Sequence, residues 1–566
     1  MSVNRNVIVP VGRSTIVNPR TNLASDRPRP PAGDSGHNPL DRVRHRSSAR
    51  TIDAVPVLER EVSLSVLRRA VESARSGAGV FVVVAGEAGI GKTALVRSLA
   101  EECRTSARVL IGACDDLITP PAFGPWLDIA RAADGELEEA LQGAADPPVV
   151  LRAIVDEVSR GSLPNVIIVE DVHWADDATL DSLRYLARRI NTLPAVVIVT
   201  HRNDELSPDH PLRGLLGQLH GDSYDRIDLE PLSAGAVLEL VGTSEVDPAE
   251  LHRVTGGNPF FVHEVLADTG TGVPQTVRDA VLARLRHLTP EARDVVSILA
   301  VSPGGLEHSL VAQLTGGEVT SISEAESHRI LEGGDSRIQF HNELARRAVE
   351  ESMSHAQRRD INARLLDALR DLDTDGARLL HHAVAAGDTT TLLAEGPEEA
   401  RRCAASGAHR QAAAWFEKVL EHEDSLELID RAQIFHEYAV ELHRLNQLED
   451  AARAAERAVA AWEGSDDATG LGRSFIELAR NQHFLGESDA AYESTQRAID
   501  VLESGGQDDA LASAYSSFAA LHVWRHAMSD ALPWGEKAKR LAAAIDRPDI
   551  LSHALNYLGV AKVLSD

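Results

Sequence analysis

A glycine-rich segment between an apolar run and an amphipathic stretch constrains the fold of this chain more than any other feature. Residues 80–85 are VFVVVA and residues 86–93 are GEAGIGKT, and ALVRSLAEEC follows with helical periodicity. Gly86, Gly89 and Gly91 allow a tight turn that points amide N–H groups inward, and the next helix adds its positive N-terminal end. Strand, loop and helix in this order form the context that a P-loop requires, so the sequence predicts a phosphate-binding loop.

Lysine usage singles out one residue of this loop. Five of the 57 basic residues are lysines, and Lys92 is the one that falls within the first 417 residues. The lysine of a P-loop contacts the β- and γ-phosphates, and the following hydroxyl, here Thr93, binds Mg²⁺. We therefore predict that ATP or ADP binds with Mg²⁺ at Gly86, Gly89, Gly91, Lys92 and Thr93.

Short runs rich in Val and Ile alternate with longer amphipathic stretches over residues 51–235. Such runs, bounded by turn residues, are typical of buried parallel strands that are joined by helices. The runs are residues 80–85, 109–113, 166–169, 195–200 and 226–229. The pattern predicts an α/β P-loop NTPase domain with a parallel sheet.

Two adjacent acids, Glu170 and Asp171, close the run at residues 166–169. In P-loop ATPases one acid at the end of a neighbouring strand helps to hold Mg²⁺, and the next can polarise the attacking water. We predict that both residues contribute to metal binding and catalysis. The first acid is Glu where Asp is commoner, so we expect it to hold the metal loosely or through water. A pair of surface acids is the alternative.

Two further residues near these strand ends have two interpretations each. His173 is either catalytic or a packed loop residue. Arg202 follows the run at residues 195–200, where an arginine can sense the γ-phosphate as part of the catalytic machinery. An interhelical salt bridge is the alternative for Arg202.

The last third of the chain is rich in alanine and repeats. Alanines recur at intervals of 39, 40 and 40 residues, and small residues one repeat apart allow neighbouring helices to pack closely. These alanines are Ala412, Ala451, Ala491 and Ala531. The pattern predicts an all-α solenoid over residues 355–566, built from hairpins longer than the 34-residue tetratricopeptide unit. A coincidence of alanine-rich helices is the alternative.

Composition excludes several classes of protein. No run approaches 18 apolar residues, so we expect no membrane span, and three cysteines without metal-ligand spacing fit a reducing compartment.

Residues 1–50 carry nine arginines against three aspartates and are predicted to be a disordered basic tail, either a contact for acidic partners or a solvated extension. The rest of the chain carries a net charge of −35, which disfavours bulk nucleic-acid binding. We expect a cytoplasmic protein.

Several motifs in a fixed order resemble one known class of protein. Besides the P-loop, the chain contains VLEREVSL, GACDDLITPPAFGPWLDIA, EDVHWADDATLDSLRYLARRI, THRNDELSPDHPLRGLL and GGNPFFVHEVL. Together these segments, spread over roughly residues 55–420, resemble the STAND-class ATPases, and more closely the large ATP-binding regulators of the LuxR type.

The resemblance implies an architecture and a nucleotide switch. It implies an AAA+-like domain over residues 51–235, a helical subdomain over 236–274, a winged helix over 275–354 and a tetratricopeptide-like sensor over 355–566. Within GGNPFF, Pro259 would contact the adenine base, and a helix-start proline is the alternative. In this class the nucleotide switches the protein between a closed resting form and an open, often self-associating form.

The chain departs from the family pattern in two places. The winged-helix motif that often contains FRHEL is FHNEL here, so Asn342 takes the position of the family's histidine and His341 comes one residue early. LuxR-type members also end in a DNA-binding helix-turn-helix, and no such pattern follows residue 545. DNA binding is therefore expected only if a helix-turn-helix exists beyond the given sequence.

Three functions remain open on the sequence. One is a LuxR-type transcriptional regulator, or its form without the DNA-binding domain, with an unknown small-molecule or protein inducer on the helical repeats. A second is a stand-alone signalling ATPase that acts through protein contacts. The third is an ATPase with continuous turnover. For the first two we expect at most slow ATP hydrolysis.

Overall fold

The computed structural model describes residues 58–565, except for residues 134–135, 143–146, 243, 245, 268–276, 318, 329, 335, 371–375 and 506–507. The predicted basic tail, residues 1–50, lies outside the described residues. All described residues belong to one compact unit, Val55–Asp566.

A parallel five-stranded sheet organises the first part of the described chain. Its strands are β1 (Val80–Ala85), β2 (Arg108–Ala113), β3 (Asn165–Glu170), β4 (Ala195–His201) and β5 (Tyr224–Asp228). Their order is β2-β3-β4-β1-β5, and each strand begins and ends within two residues of its predicted run. The predicted α/β fold is confirmed. One detail was wrong: β3 does not neighbour β1, because β4 lies between them.

Helices cover both faces of the sheet. They are α1 (Glu61–Arg75), α2 (Lys92–Cys103), α3 (Gly124–Ala132), α4 (Leu137–Gln142), α5 (Pro147–Val158), α6 (Asp177–Ala187) and α7 (Leu212–Leu216). Because side chains alternate along a strand, Val82 and Val84 pack in one core with α1 and α2, whereas Phe81 and Val83 pack in a second core with α3, α5 and α6. With both faces covered, the carboxyl ends of β1, β3 and β4 are left to form a ligand crevice.

Helices and a small sheet follow the parallel sheet. The first group of helices is α8 (Ala234–Val241), α9 (Pro248–Thr255), α10 (Pro259–Ala267) and α11 (Val277–Leu285). The second group is α12 (Pro290–Ala300), β6 (Leu306–Glu307), α13 (His308–Thr315), α14 (Val319–Ser327), β7 (Leu331–Gly333), β8 (Arg337–Phe340) and α15 (Glu343–Ser352). The three short strands form an antiparallel sheet in the order β6-β8-β7. The winged-helix assignment of this group stays a prediction.

Antiparallel helical hairpins make up the rest of the chain. The helices are α16 (His355–Arg370), α17 (Gly376–Ala386), α18 (Thr389–Ala405), α19 (His409–Leu420), α20 (Leu428–Arg444), α21 (Leu448–Trp462), α22 (Ala468–Phe484), α23 (Ser488–Gly505), α24 (Asp508–Trp524), α25 (Met528–Ala544) and α26 (Pro548–Ser565). The four repeating alanines lie in α19, α21, α23 and α25 and are at most 1% exposed. The predicted tetratricopeptide-like solenoid is confirmed, with small residues where helices pack closely.

The start of the solenoid shares a hydrophobic core with the sheet domain. Trp415 and Phe416 of α19 belong to the same buried cluster as Phe81 and Leu183. The solenoid therefore packs directly on the domain that carries the glycine-rich loop. In the described part of the chain, no helix is long and apolar enough to cross a membrane.

Candidate nucleotide-binding site

The glycine-rich loop connects the buried strand β1 to the first turn of α2. Gly89 and Gly91 adopt positive φ angles of 74° and 100°, which glycine reaches at no steric cost. Within the described residues, the amide groups of Gly89, Gly91, Lys92 and Thr93 donate to no protein acceptor. Free amides at a helix start bind anions, so the loop fits a phosphate group.

Lys92 is the cation of the loop. It is 7% exposed, and its Nζ donates to the carbonyl oxygens of Gly86 and Glu87, both at 2.9 Å. Burial lowers the pKa of Lys92 to about 8, and the nearby carboxylate of Asp171 opposes this shift. Both partners are neutral carbonyl groups and the charge is buried, so a phosphate would be a better partner for this ammonium group.

Thr93 and Glu170 meet where the metal is predicted. The Thr93 hydroxyl donates to Oε2 of Glu170 at 2.6 Å, although the two residues lie on α2 and β3. The longer Glu side chain thus reaches the hydroxyl directly. In the described part of the chain, no group of three or more His, Cys, Asp or Glu side chains could hold a metal by itself. These two residues fit Mg²⁺ as part of a set that phosphate oxygens and water complete.

Asp171 sits at the turn after β3. Its φ angle is 55°, and its amide donates to the Thr200 hydroxyl of β4 at 2.9 Å, which fixes this left-handed conformation. Burial raises the pKa of Asp171 to about 6, while Arg202 lowers it. Although β4 lies between β1 and β3, this carboxylate lies close enough to Lys92 for each to shift the pKa of the other.

Arg202 follows β4 and is buried. It donates to Oε1 of Glu205 at 2.6 Å, and its guanidinium carbon lies 4.8 Å from the ring centre of Trp174. Arg202 thus forms a salt bridge, as the alternative interpretation required, but with a partner three residues away in the same connection and not between two helices. Its contact with the γ-phosphate stays a prediction. Arg202 lowers the pKa values of Lys92 and Asp171, which places it beside both residues.

His173 is a packed residue. It is 5% exposed, its ring centre lies 4.4 Å from that of Trp174, and burial lowers its pKa to about 2. A buried, neutral imidazole that packs against Trp174 favours the packed-loop interpretation over the catalytic one.

Pro259 is the first residue of α10, where a proline is well tolerated. Its neighbours contact the loop: Asn258 Nδ2 donates to the Ala88 carbonyl at 2.9 Å, and the Phe260 amide donates to the Gly89 carbonyl at 3.2 Å. The helix-start role is thus observed, and the adenine contact of Pro259 stays a prediction.

One sequence comparison decides what this domain is. Residues 56–199, which include the loop and the Glu170–Asp171 pair, match the family of AAA ATPase domains. Residues 56–199 form an AAA ATPase domain. The predicted resemblance is confirmed for this domain and for the helical solenoid, and nucleotide binding is what the family implies.

Other comparisons cover more of the chain at low identity. An uncharacterized protein of Rhizobium meliloti (strain 1021) is 25% identical over 315 residues, which are 47% of this chain and 30% of that protein. The chain thus matches less than a third of that relative's length.

Two solved structures match the chain at low similarity. A Pyrococcus horikoshii STAND protein with a tetratricopeptide repeat sensor is 16% identical, with a TM-score of 0.43 over 88% of this chain and 79% of that one. An Aeropyrum pernix Orc1 protein in complex with DNA is 14% identical, with a TM-score of 0.26 over 53% of this chain and 95% of that one. At these scores the assignment of site residues rests on the geometry above.

The ATPase domain also uses residues to which sequence reasoning assigned no role. Arg60 and Asn258 contact the loop, Thr200 fixes Asp171, and Glu205 holds Arg202. Arg60 and Asn258 lie inside the quoted motifs VLEREVSL and GGNPFF, so the motifs marked their positions but not their partners. Thr200 and Glu205 likewise lie inside THRNDELSPDHPLRGLL, which marked their positions but not their partners.

The FHNEL segment contacts the ATPase domain through a different residue from either candidate. Asn342 caps α15 by accepting from the Leu344 amide at 2.8 Å, and His341 is an exposed partner of Glu332. The residue that lies on the loop is Leu344: a Cβ on Gly89 would be 3.0 Å from its Cδ1. Among the described contacts of this segment, it is Leu344, and neither His341 nor Asn342, that reaches the glycine-rich loop.

Proposed function

We propose that this protein is a signalling switch that binds ATP or ADP with Mg²⁺ at residues 86–93 and changes conformation with the bound nucleotide. The AAA domain match supports nucleotide binding, and the convergence of Lys92, Thr93 and Glu170 supports the place. Mg²⁺, when bound, would neutralise charge on the phosphate oxygens.

The residues of the site divide the work. Lys92 would exchange its two carbonyl partners for phosphate oxygens, and Thr93 and Glu170 would hold the metal. Asp171, with a pKa of about 6, is ionised at neutral pH and would accept a proton from the attacking water. Arg202 would contact the γ-phosphate, but Glu205 holds its guanidinium in this conformation. An arginine held away from the phosphate favours slow hydrolysis at most.

The observation that carries the proposal is a shared carboxylate between two segments. Oε1 of Glu205 accepts from Arg202 at 2.6 Å and from Arg347 of α15 at 3.1 Å. Arg347 also donates to Asp116 at 2.8 Å. Its guanidinium carbon lies 5.4 Å from the ring centre of Trp174, the same ring that Arg202 contacts. If Arg202 turns to a γ-phosphate, Glu205 loses one of its two cations, and the strength of its ion pair with Arg347 of α15 changes. The arrangement is thus suited to report nucleotide state to the segment after residue 290.

The solenoid is placed to bias this switch. Arg410 of α19 pairs with Asp177, the first residue of α6, three residues beyond Trp174. We infer that a small-molecule or protein inducer on the repeats acts through this contact. Such an inducer must bind one conformation better than the other, by about 5.5 kcal/mol for a near-complete shift.

For the output we favour self-association in the ATP-bound form and control of transcription as in LuxR-type regulators. DNA contact is proposed only through a helix-turn-helix outside the 566 residues. Sequencing the reading frame beyond codon 566 tests this part. A helix-turn-helix there would support the regulator, and an immediate stop codon would overturn it in favour of a switch that acts through protein partners.

The switch itself is tested by solution mass. Light scattering after size exclusion should give a monomer with ADP and a larger species with a non-hydrolysable ATP analogue. Lys92→Ala should abolish nucleotide binding and this assembly without loss of fold, whereas Lys418→Ala, which removes an exposed lysine of the solenoid, should behave as wild type. A wild-type protein with equal mass in both nucleotides and no change in shape would contradict the switch.

Steady-state turnover separates the switch from an ATPase with continuous turnover. A switch should hydrolyse ATP well below the roughly 1–10³ s⁻¹ that is typical of enzymes. A turnover inside that range without any inducer would favour the continuous ATPase.

A further inference from the structure

Donor groups from two distant segments form hydrogen bonds to the outer side of the glycine-rich loop. The carbonyl oxygens of three consecutive loop residues accept hydrogen bonds there. Asn258 Nδ2 donates to the Ala88 carbonyl oxygen at 2.9 Å, and the Phe260 amide donates to that of Gly89 at 3.2 Å. Arg60 Nη2 donates to the carbonyl oxygen of Ile90 at 3.1 Å. Asn258 lies 170 residues from Ala88 along the chain, so these bonds form only in the folded protein.

These hydrogen bonds on the outer side of the loop also orient the amide groups on its inner side, because the peptide unit is planar. In a trans peptide the C=O and the following N–H point in opposite directions. A carbonyl of Ala88 that is held outward therefore turns the Gly89 amide inward, and a carbonyl of Ile90 that is held outward turns the Gly91 amide inward. These are two of the amides that donate to no protein acceptor in the described residues.

Each donor also has a second bond that fixes its own position. Asn258 Oδ1 accepts from the Phe260 amide at 3.1 Å, as a helix cap does, which leaves its Nδ2 aimed at the loop. Arg60 is 5% exposed, and the same Nη2 donates to Glu230 O at 2.8 Å. The space is closed as well: a Cβ on Gly89 would lie 2.9 Å from Cβ of Phe260.

We propose that Asn258 and Arg60 are positioning residues for phosphate binding: they hold the loop carbonyls outward so that the amides of Gly89 and Gly91 face the phosphates. This inference rests on the proposed nucleotide binding at residues 86–93. It also makes docking of the segment that begins α10 a condition for tight phosphate binding, because Asn258 belongs to that segment.

The test uses Asn258→Ser in the full chain. Serine keeps the helix cap of α10, but it is too short to reach Ala88 O. The control is Asn556→Ser, which makes the same substitution at an exposed position of α26. Binding of fluorescent N-methylanthraniloyl-ADP with Mg²⁺ is titrated, and inorganic tripolyphosphate, which has no base, is used as a competitor.

We expect Asn258→Ser to weaken the fluorescent ADP about tenfold, or about 1.4 kcal/mol, and to raise the inhibition constant of tripolyphosphate by the same factor. The control should match wild type, and both variants should keep the thermal midpoint of the nucleotide-free protein. Unchanged affinity in Asn258→Ser would overturn the inference. So would weaker ADP binding with unchanged tripolyphosphate binding, because the contact would then act on the base and not on the phosphate loop.

Arg60 needs a variant that keeps its charge. Arg60→Lys retains the positive charge but cannot reproduce the guanidinium geometry. Weaker tripolyphosphate binding in Arg60→Lys supports positioning, and wild-type binding would assign the role to charge alone and overturn the proposal for Arg60. If the wild-type protein itself binds neither probe, the proposed function fails, which this design distinguishes from failure of the two variants.

Discussion

Arg347, on α15, lies 3.1 Å from the Glu205 carboxylate oxygen that also accepts from Arg202 of the ATPase domain. One carboxylate therefore serves a cation beside the nucleotide site and a cation on the segment that follows residue 290. When one of the two arginines leaves this oxygen, the strength of its ion pair with the other arginine changes. The shared carboxylate therefore couples the two segments energetically.

We assign the conformation in which Glu205 holds both arginines to the closed form of the proposed switch, and removal of Arg347 should loosen it. We expect Arg347→Ala to assemble at about tenfold lower concentration of a non-hydrolysable ATP analogue, a coupling of about 1.4 kcal/mol. Arg293→Ala, on the exposed side of α12, is the control and should match wild type. Light scattering across an analogue titration measures the effect. An unchanged midpoint for Arg347→Ala would show that the bridge through Glu205 does not stabilise the closed form.

Nucleotide affinity should depend on pH through Lys92. The pKa of this lysine is lowered to about 8, and the ammonium form is the one that binds phosphate, so affinity is full below pH 8 and falls as pH rises through 8. The dissociation constant of a fluorescent ADP analogue should rise up to about tenfold per pH unit above that point. Lys92→Arg, which stays charged, should bind more weakly but with a flat profile from pH 7 to 9.5. A flat wild-type profile would contradict the prediction.

Asp171 should affect hydrolysis much more strongly than nucleotide binding. Its pKa is raised to about 6, so the base is lost as pH falls through 6, and turnover should fall with it. Asp171→Asn should lower turnover by about 100-fold or more, with a much smaller loss of ADP affinity, because the carboxylate also favours the charged form of Lys92. Asp181→Asn, which changes an exposed carboxylate of α6, serves as the control. Equal losses of turnover in both variants would remove Asp171 from the catalytic role.

The same carboxyl group also affects stability. A raised pKa means that the native state binds more protons than the unfolded chain between about pH 4 and 6, so this contribution to stability is lost as pH rises through that range. Asp171→Asn removes the cost of the buried charge, and we expect a higher thermal midpoint than wild type at pH 7.5. At pH 4.5 the difference should shrink, and a constant difference at both pH values would assign it to another cause.

The pairing of Arg410 with Asp177 should couple the solenoid to the ATPase domain. Arg410→Ala should speed amide hydrogen exchange in α6 and in the turn at residues 171–174, because the first turn of α6 loses its partner on α19. Arg453→Ala, in which an exposed arginine of α21 is removed, is the control. Exchange that rises only within α19 would show that the contact does not reach the nucleotide site.

Local pattern predicted much of the architecture. The strand limits around Val80–Ala85, the helix start at Lys92 and the 40-residue spacing of Ala451, Ala491 and Ala531 depend on neighbouring residues and on repetition, and both are visible in a sequence. The meeting of Thr93 with Glu170 could be anticipated as well, because strand ends of a parallel sheet lie at one edge.

Other features of the site were decided by the tertiary structure alone. The sheet order put β4 between β1 and β3, and packing brought Asn258 to Ala88 and Arg347 to Glu205 across 170 and 142 residues of chain. Burial then set the charge preferences of Asp171 and Lys92. The sequence by itself determined which chemical groups the ATPase domain carries and on which elements they lie. Their partners and pKa values depend on distances and on solvent exclusion that arise only when remote elements pack together.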